Sequence, residues 1–195
     1  MAVDLGPWEP YDVERVRRLF GSARATWWLS GGVALDLFLG YVSRAHGDVD
    51  VSVRRSDWPV IAQRLREALE VFVAKDGRVT PLADEPLRAD AHNLWTREHD
   101  GGPWRVQLNL EPGDDERWQY RRDARITLPW SDVIRRDRGV PYVAPAVQLL
   151  WSAKYVDAKH QADYDLVVPR LDAGERAWLA DAIALAHPDS PWRDA

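Results

Sequence analysis

The spacing of hydrophobic and polar positions predicts a mixture of strands and helices in the first part of the chain. Residues 49–53 and 105–111 alternate apolar and polar side chains, which is the period of a half-buried strand. Residues 27–29 form a short apolar run that ends at a Ser-Gly-Gly turn, which indicates a buried strand. The apolar residues of 33–39 then predict a short helix that ends at Gly40.

Helical spacing dominates the end of the chain. The pattern predicts helices over residues 146–157, 161–168 and 173–186. Weaker patterns predict a helix over residues 11–20, a helix capped by Asp57, and strands over residues 71–74, 91–96 and within 119–128. We therefore predict an α/β (α+β) fold with a small mixed sheet, in which residues 1–143 form the α/β domain and residues 144–195 form a C-terminal helical unit packed on it.

Composition narrows the class of protein. The 195 residues contain no cysteine, which excludes disulfides and thiolate metal sites and fits a cytoplasmic protein. No apolar run approaches the ~18 residues of a membrane span, and the first ten residues lack the pattern of a signal peptide, so we expect no membrane partner. A formal net charge of −5 argues against a broad nucleic-acid surface but leaves room for a local basic pocket.

Two aspartates carry the chemistry that the sequence suggests. Asp48 and Asp50 are two residues apart, and side chains at that spacing on a strand point to the same face. Paired carboxylates suit Mg²⁺, which takes one or two carboxylates together with water and substrate phosphates. Such metal sites support in-line displacement at phosphorus.

The Ser30-Gly31-Gly32 turn suggests what the metal acts upon. Glycines let the backbone approach a phosphate closely, and amides at a helix N-terminus attract anions. Ser30 adds a hydroxyl donor. A turn of this kind beside a carboxylate pair predicts a site for a nucleoside triphosphate.

These segments resemble a known family. Residues 28–36, with the Ser30-Gly31-Gly32 turn, and residues 44–51, with the two aspartates, resemble the signature of aminoglycoside 2''-adenylyltransferase-like proteins, which belong to the DNA polymerase β-type nucleotidyltransferase superfamily. Further patches resemble the third-carboxylate strand and the helical C-terminal part of that family. They comprise residues 108–112, 141–145 and 148–150, followed by Lys154, Lys159 and Asp163.

The resemblance implies roles for individual residues. Ser30, Gly31 and Gly32 would contact the triphosphate, and Asp48 and Asp50 would bind Mg²⁺. The third carboxylate of the superfamily, which helps to activate the acceptor hydroxyl, falls here on Asn109, and an amide cannot act as a general base. Either Glu111, two residues further on the same strand face, supplies that carboxylate, or the base is dispensable.

Other residues have two interpretations each. Arg44 contacts a phosphate or forms a salt bridge to one of the aspartates. Lys154 reaches the triphosphate or extends into solvent. Lys159 and Asp163 are predicted to form a surface ion pair, and Asp36 to hydrogen-bond a neighbouring loop.

The sequence therefore predicts a Mg²⁺-dependent enzyme that moves a nucleoside monophosphate, AMP from ATP or the equivalent from another nucleoside triphosphate, to a hydroxyl of a small molecule. An aminoglycoside-like acceptor is one option. Two alternatives stay open: a nucleotide-binding protein with a degenerate, inactive site, and a toxin-like transferase that modifies RNA or protein.

Overall fold

A computed structural model describes residues 5–82 and 87–193, and its elements form a mixed α+β fold. In chain order the elements are α1 (Val13–Phe20), β1 (Trp27–Ser30), α2 (Gly31–Leu39), β2 (Asp50–Arg54), α3 (Trp58–Arg66), β3 (Glu70–Lys75), β4 (Arg78–Pro81), β5 (Asn93–Arg97), β6 (Trp104–Glu111), β7 (Arg117–Gln119), β8 (Thr127–Pro129), α4 (Trp130–Val133), β9 (Ile134–Asp137), β10 (Val140–Val143), α5 (Pro145–Ser152), α6 (Ala158–Val167) and α7 (Ala173–Ala186).

The contacts divide the chain into two compact units. Unit 1 comprises the described parts of Met1–Leu29 and Ala45–Gly113, and unit 2 comprises those of Ser30–Arg44 and Asp114–Ala195. The predicted boundary near residue 143 is not one of these divisions, because the segment before it already packs with the C-terminal helices of unit 2. Arg135 on β9, for example, pairs with Glu175 on α7.

Unit 1 is a mixed sheet with helices against it. Its strands follow the order β4-β3-β5-β6-β2-β1. The β2 and β6 strands are parallel, whereas β3 is antiparallel to β4 and to β5, and β5 is antiparallel to β6. The α3 helix contacts both β3 and α1. This arrangement confirms the predicted mixed sheet.

The two faces of this sheet differ in chemistry. On β6 the side chains of Val106, Leu108 and Leu110 are buried, whereas Gln107 and Asn109 between them are half-buried. Successive side chains of a strand point to opposite faces, so the apolar set enters the core and the amide set lines the other face. The strand predicted at residues 105–111 is confirmed, and its polar face carries the residues described below.

Unit 2 combines helices with two short strand pairs. The α5 helix contacts α2, α6 and α7, and α2 also contacts β10. The β9 and β10 strands form an antiparallel hairpin whose turn has positive φ at Arg138 and Gly139, the conformation of a type I′ turn. The α7 helix matches the predicted helix 173–186 and begins at a capping box made by Asp172 and Glu175.

Two local predictions are wrong. The helix predicted over residues 146–157 ends at Ser152, after which the chain turns through Ala153 to Tyr155. Asp57 is the residue before α3, as predicted, but its side chain does not cap the helix, and its carboxylate accepts a hydrogen bond from the backbone N–H of Thr26 at 2.7 Å. Over residues 5–82 and 87–193, no helix is both long enough and apolar enough to cross a bilayer.

A buried histidine anchors the end of α7. The Tyr120 hydroxyl lies 2.7 Å from Nε2 of His187 and accepts a hydrogen bond from Arg122 at 2.9 Å. His187 is 8% exposed. Burial first, and then the charges of Arg122 and Lys154, lower the pKa of His187 below its ordinary value.

This shift predicts that stability falls as the solution is acidified. As pH drops through about 6.5, His187 takes up a proton in the unfolded chain while the folded form stays neutral, so the unfolded state is favoured. We expect the free energy of unfolding, measured by urea titration between about pH 7.5 and 5.5, to fall more steeply for the wild type than for His187→Gln. Glutamine keeps an acceptor for Tyr120 but does not titrate. Equal slopes in the two proteins would contradict this prediction.

Candidate active site

The predicted metal-binding aspartates lie at the start of β2 in unit 1. Asp50 is the first residue of the strand and is half-buried, whereas Asp48 precedes it and is exposed. Val49 between them is 2% exposed, and its carbonyl accepts a hydrogen bond from the backbone N–H of Gln107 at 3.0 Å. The core thus holds the middle residue of the motif and fixes the backbone between the two carboxylates.

Asp50 is held by two neutral amides from β6. Its Oδ1 accepts a hydrogen bond from Nε2 of Gln107 at 2.6 Å and one from Nδ2 of Asn109 at 3.0 Å. The parallel register explains both contacts, because Asp50 lies opposite Gln107 and Ser52 lies opposite Asn109. Asn109 therefore contacts the predicted metal ligand directly, as the neighbouring position on the adjacent strand.

Glu111 lies further along the same strand. It is 8% exposed and lies opposite Arg54 in the register, four residues beyond Gln107. At the rise of a strand this is about 13 Å along the sheet from the level of Asp50. Within the described ranges, no group of three or more His, Cys, Asp or Glu side chains is placed to hold one metal ion. The catalytic role of Glu111 stays a prediction.

The Ser-Gly-Gly turn lies at the N-terminus of α2 in unit 2. Ser30 is the residue before the helix and is 1% exposed. Gly31 has φ of 67°, in the left-handed region that favours glycine. Its N–H donates a hydrogen bond to Oε1 of Gln148 at 2.7 Å. The turn needs glycine for conformational reasons, and contact of Ser30, Gly31 and Gly32 with a triphosphate stays a prediction.

The segment after α2 is fixed by two carboxylates of unit 2. The backbone N–H and the hydroxyl of Ser43 donate hydrogen bonds to Oδ1 of Asp36 at 2.9 and 2.6 Å, which confirms the predicted loop contact of Asp36. Arg44 donates from Nε and Nη2 to the two carboxylate oxygens of Asp163, both at 3.0 Å. The predicted surface pair of Lys159 with Asp163 is wrong, because Asp163 is buried and binds Arg44 instead.

Lys154 lies in the turn that follows α5. Its side chain is exposed, and Nζ lies 4.9 Å from the ring centre of Tyr155, which is itself 71% exposed. Lys154 was predicted to lie on a helix over residues 146–157, but contact with a triphosphate and extension into solvent are both compatible with its position after α5. Its nucleotide-binding role stays a prediction.

Sequence reasoning did not select Gln107 as a functional residue. The alternation of residues 105–111 placed its side chain on the polar face, which was the available signal. The parallel pairing that sets Gln107 opposite Asp50 joins residues 57 positions apart, and nothing local encodes it.

The chemistry of the two aspartates fits Mg²⁺. They offer hard carboxylate oxygens, and Mg²⁺ commonly uses one or two carboxylates while substrate phosphates and water complete its shell. The amides on Asp50 belong to the outer layer of contacts that usually orients a metal-binding carboxylate. Asp48 and Asp50 would hold such an ion by the chemistry of their side chains, and this role stays a prediction.

Solved structures with a similar fold match the chain over most of its length. The crystal structure of ANT(2'')-Ia in complex with adenylyl-2''-tobramycin matches with a TM-score of 0.60 at 14% identity, over 89% of this chain and 97% of that chain. The lincosamide antibiotic adenylyltransferase LnuA, with lincomycin bound, matches with a TM-score of 0.57 at 15% identity, over 83% of this chain and 97% of that one. At these identities the likeness shows the fold. No curated protein sequence matches the chain significantly.

The family itself is shown by a match to the sequence model of aminoglycoside-2''-adenylyltransferase. The match runs over residues 12–150, which is most of the chain, and it includes the Ser-Gly-Gly turn, both aspartates and the β6 amides. The chain therefore belongs to the aminoglycoside-2''-adenylyltransferase family, a family of nucleotidyltransferases.

Proposed function

We propose that this protein transfers AMP from ATP, with Mg²⁺, to a hydroxyl group of a small-molecule acceptor and releases pyrophosphate. The observation that carries the proposal is the carboxylate of Asp50, which two amides of the adjacent strand hold in place, two residues along the chain from the exposed Asp48. Two hard oxygen ligands in a chain of this family support a nucleotide–metal site.

The reaction exchanges one bond at phosphorus for another, and the acceptor hydroxyl loses its proton. The acceptor oxygen bonds to the α-phosphorus of ATP, the bond from that phosphorus to the bridging oxygen breaks, and the electron pair leaves with pyrophosphate. The hydroxyl proton passes to solvent. Mg²⁺, when bound, supplies positive charge that neutralises the triphosphate and the leaving group.

The residues of the chain bind and orient. Asp48 and Asp50 hold the ion, and by family resemblance Ser30, Gly31 and Gly32 hold the remaining phosphates with hydroxyl and amide donors. We propose that the reaction proceeds without Glu111 as a general base, and the register of Glu111, well beyond that of Asp50, supports this choice. Catalysis then depends on positioning and charge, which is the general pattern of phosphoryl-type transfer.

The acceptor is proposed to be a cationic, polyhydroxylated antibiotic of the aminoglycoside type. The family name and the net charge of −5 support this choice, and the structures of similar fold hold adenylyl-2''-tobramycin or lincomycin. The absence of cysteine supports a cytoplasmic location for such an enzyme.

One observation favours a second candidate function. Asn109 stands where the resemblance expects a carboxylate, and it binds Asp50 instead of offering a third anionic ligand. A protein with that exchange could bind nucleotide without transferring it.

Pyrophosphate release distinguishes the two functions. We expect release that requires Mg²⁺, ATP and an acceptor, when purified protein is supplied with each nucleoside triphosphate and a panel of aminoglycosides and lincosamides. Mass spectrometry should find the acceptor heavier by one adenylyl group. If calorimetry detects ATP binding but no acceptor supports release, the binding protein is the correct description. Labelling of tRNA or protein in place of the antibiotics would identify the toxin-like alternative.

A further inference from the structure

Asp50 lies at the end of a chain of side-chain hydrogen bonds that crosses three strands of unit 1. The indole N–H of Trp95 on β5 donates to Oε1 of Gln107 at 3.0 Å, and Gln107 donates in turn to Asp50. In a second branch, Nδ2 of Asn93 donates to Oδ1 of Asn109 at 3.2 Å, and Asn109 donates to Asp50.

The register of the strands builds both branches. Trp95 lies opposite Gln107 and Asn93 opposite Asn109 in the antiparallel β5–β6 pair. Gln107 lies opposite Asp50 in the parallel β2–β6 pair. Side chains at paired positions share a face, so these residues are adjacent on the polar face of the sheet.

The chemistry of tryptophan fixes the direction of the first branch. An indole N–H can only donate, so the carbonyl oxygen of Gln107 must face Trp95 and its amino group must face Asp50. A carboxylate can only accept, so Asp50 completes the chain in the same direction. Without Trp95 only the contact with Asp50 would hold the amide of Gln107, and its side chain would be less restricted.

Trp95 is itself held by neighbouring rings. It makes edge-to-face contacts with Trp8, at 5.0 Å between ring centres and an angle of 73°, and with Trp104, at 5.3 Å and 67°. Trp104 is 5% exposed and belongs to the core. Edge-to-face packing of this kind restricts the ring and therefore the position of its N–H.

We infer that Trp95 and Gln107 are positioning residues, which fix the carboxylate of Asp50 for the metal before the nucleotide arrives. The inference rests on the proposed function, since it assigns Asp50 to the metal. Two donors on one oxygen restrict rotation of the carboxylate, and such outer contacts orient metal ligands in other proteins. It also gives Asn109 a role, because an amide can donate to Asp50 and a carboxylate at this position could not.

Trp95→Phe is the sharpest test, because it keeps a packed aromatic ring and removes the N–H. We expect kcat to fall about tenfold, with the KM for the acceptor unchanged, and the Mg²⁺ concentration for half-maximal rate to rise by a similar factor. Gln107→Glu removes the donor and places a second carboxylate against Asp50, so we expect kcat to fall about a hundredfold. Gln107→Met, whose side chain cannot donate a hydrogen bond, should lower kcat at least as much as Trp95→Phe does.

Trp104→Phe is the matched control. It removes an indole N–H from the same aromatic cluster, but that N–H donates to the backbone carbonyl of Leu5 and not towards Asp50. We expect its kcat to stay within about twofold of the wild type even if its melting temperature falls. A merely structural role for Trp95 would give the two tryptophan variants the same profile.

A metal titration tests the inference without turnover. Calorimetric titration of Mn²⁺ into protein saturated with a non-hydrolysable ATP analogue should show about tenfold weaker binding for Trp95→Phe than for the wild type and Trp104→Phe. Wild-type affinity and wild-type kcat in a folded Trp95→Phe protein would overturn the inference while leaving the proposed function intact. A wild type that binds no divalent cation would contradict both.

Discussion

The Asp50→Asn variant is expected to lose nucleotidyl transfer by about three orders of magnitude while remaining folded. The substitution removes a negative charge from the metal site, and charge stabilisation at the phosphoryl group is the main contribution that the protein makes to this kind of reaction. The fold should survive, because the asparagine oxygen can still accept hydrogen bonds from Gln107 and Asn109. The measurement is pyrophosphate release at saturating ATP and acceptor, with circular dichroism to compare the melting curves.

Two variants give this result its meaning. Asp181→Asn makes the same change of charge on the exposed face of α7 and should leave the rate unchanged. Glu111→Gln should keep the rate within about threefold, since β6 carries that carboxylate about 13 Å beyond the level of Asp50. A loss at Glu111 comparable with the loss at Asp50 would show that Glu111 supplies the third carboxylate after all. An active Asp50→Asn enzyme would refute the metal site.

The sequence was most informative where one local period covers a whole element. Residues 105–111 alternate through the full length of β6, and residues 173–186 repeat an apolar stripe along α7, so both elements agree with prediction. The β9 and β10 strands could not be found in this way. Each has four residues, β9 is rich in charge and β10 contains a proline, so neither shows a clear alternation.

The candidate site was predictable as a motif but not as a set of contacts. The aspartates and the glycines are close in sequence, and their spacing alone suggested metal and phosphate. The amides that hold Asp50 come from β6, nearly sixty residues later in the chain. The strands β3, β4 and β5 come between β2 and β6 in the sequence. Parallel pairing and its register depend on the whole sheet, which is why the sequence left Gln107 without a role and gave Asn109 only the role of a missing carboxylate.

The ion pair between Arg44 and Asp163 shows the same limit over a longer span. These residues are 119 positions apart, and the sequence offered Arg44 a phosphate or a nearby aspartate as partner. In the structure the guanidinium binds both carboxylate oxygens of Asp163, a partner that the sequence did not suggest, with side-chain exposures of 26% and 8%. A bidentate ion pair of this kind is stronger than a single hydrogen bond, and it provides hydrogen-bond donors for a buried carboxylate.

Arg44→Met is therefore expected to lower the free energy of unfolding by about 2–3 kcal/mol. Removing the arginine leaves a buried carboxylate without its charged partner, and that penalty exceeds the modest value of a surface pair. Arg44→Lys should give an intermediate loss, because an ammonium cannot make the two-pronged contact. Urea denaturation followed by circular dichroism provides the measurement.

The matched control is the ion pair between Arg88 and Asp90, which is also bidentate but has side-chain exposures of 84% and 47%. Arg88→Met should leave stability unchanged within error, because solvent already screens both charges. If both arginine variants lose equally, burial is not the cause of the effect at Arg44.

The double variant Arg44→Met with Asp163→Leu separates stability from function. It replaces a buried ion pair by apolar side chains, so it should recover most of the stability that Arg44→Met loses, with a coupling energy of at least about 1 kcal/mol. In that stable background the KM for ATP tests the phosphate contact that the sequence suggested for Arg44. We expect the KM for ATP to change less than about threefold, because Nε and Nη2 of Arg44 already donate to Asp163. A larger rise in the KM for ATP, in a protein of restored stability, would show that Arg44 contacts the nucleotide. Loss of folding could not then explain the weaker binding.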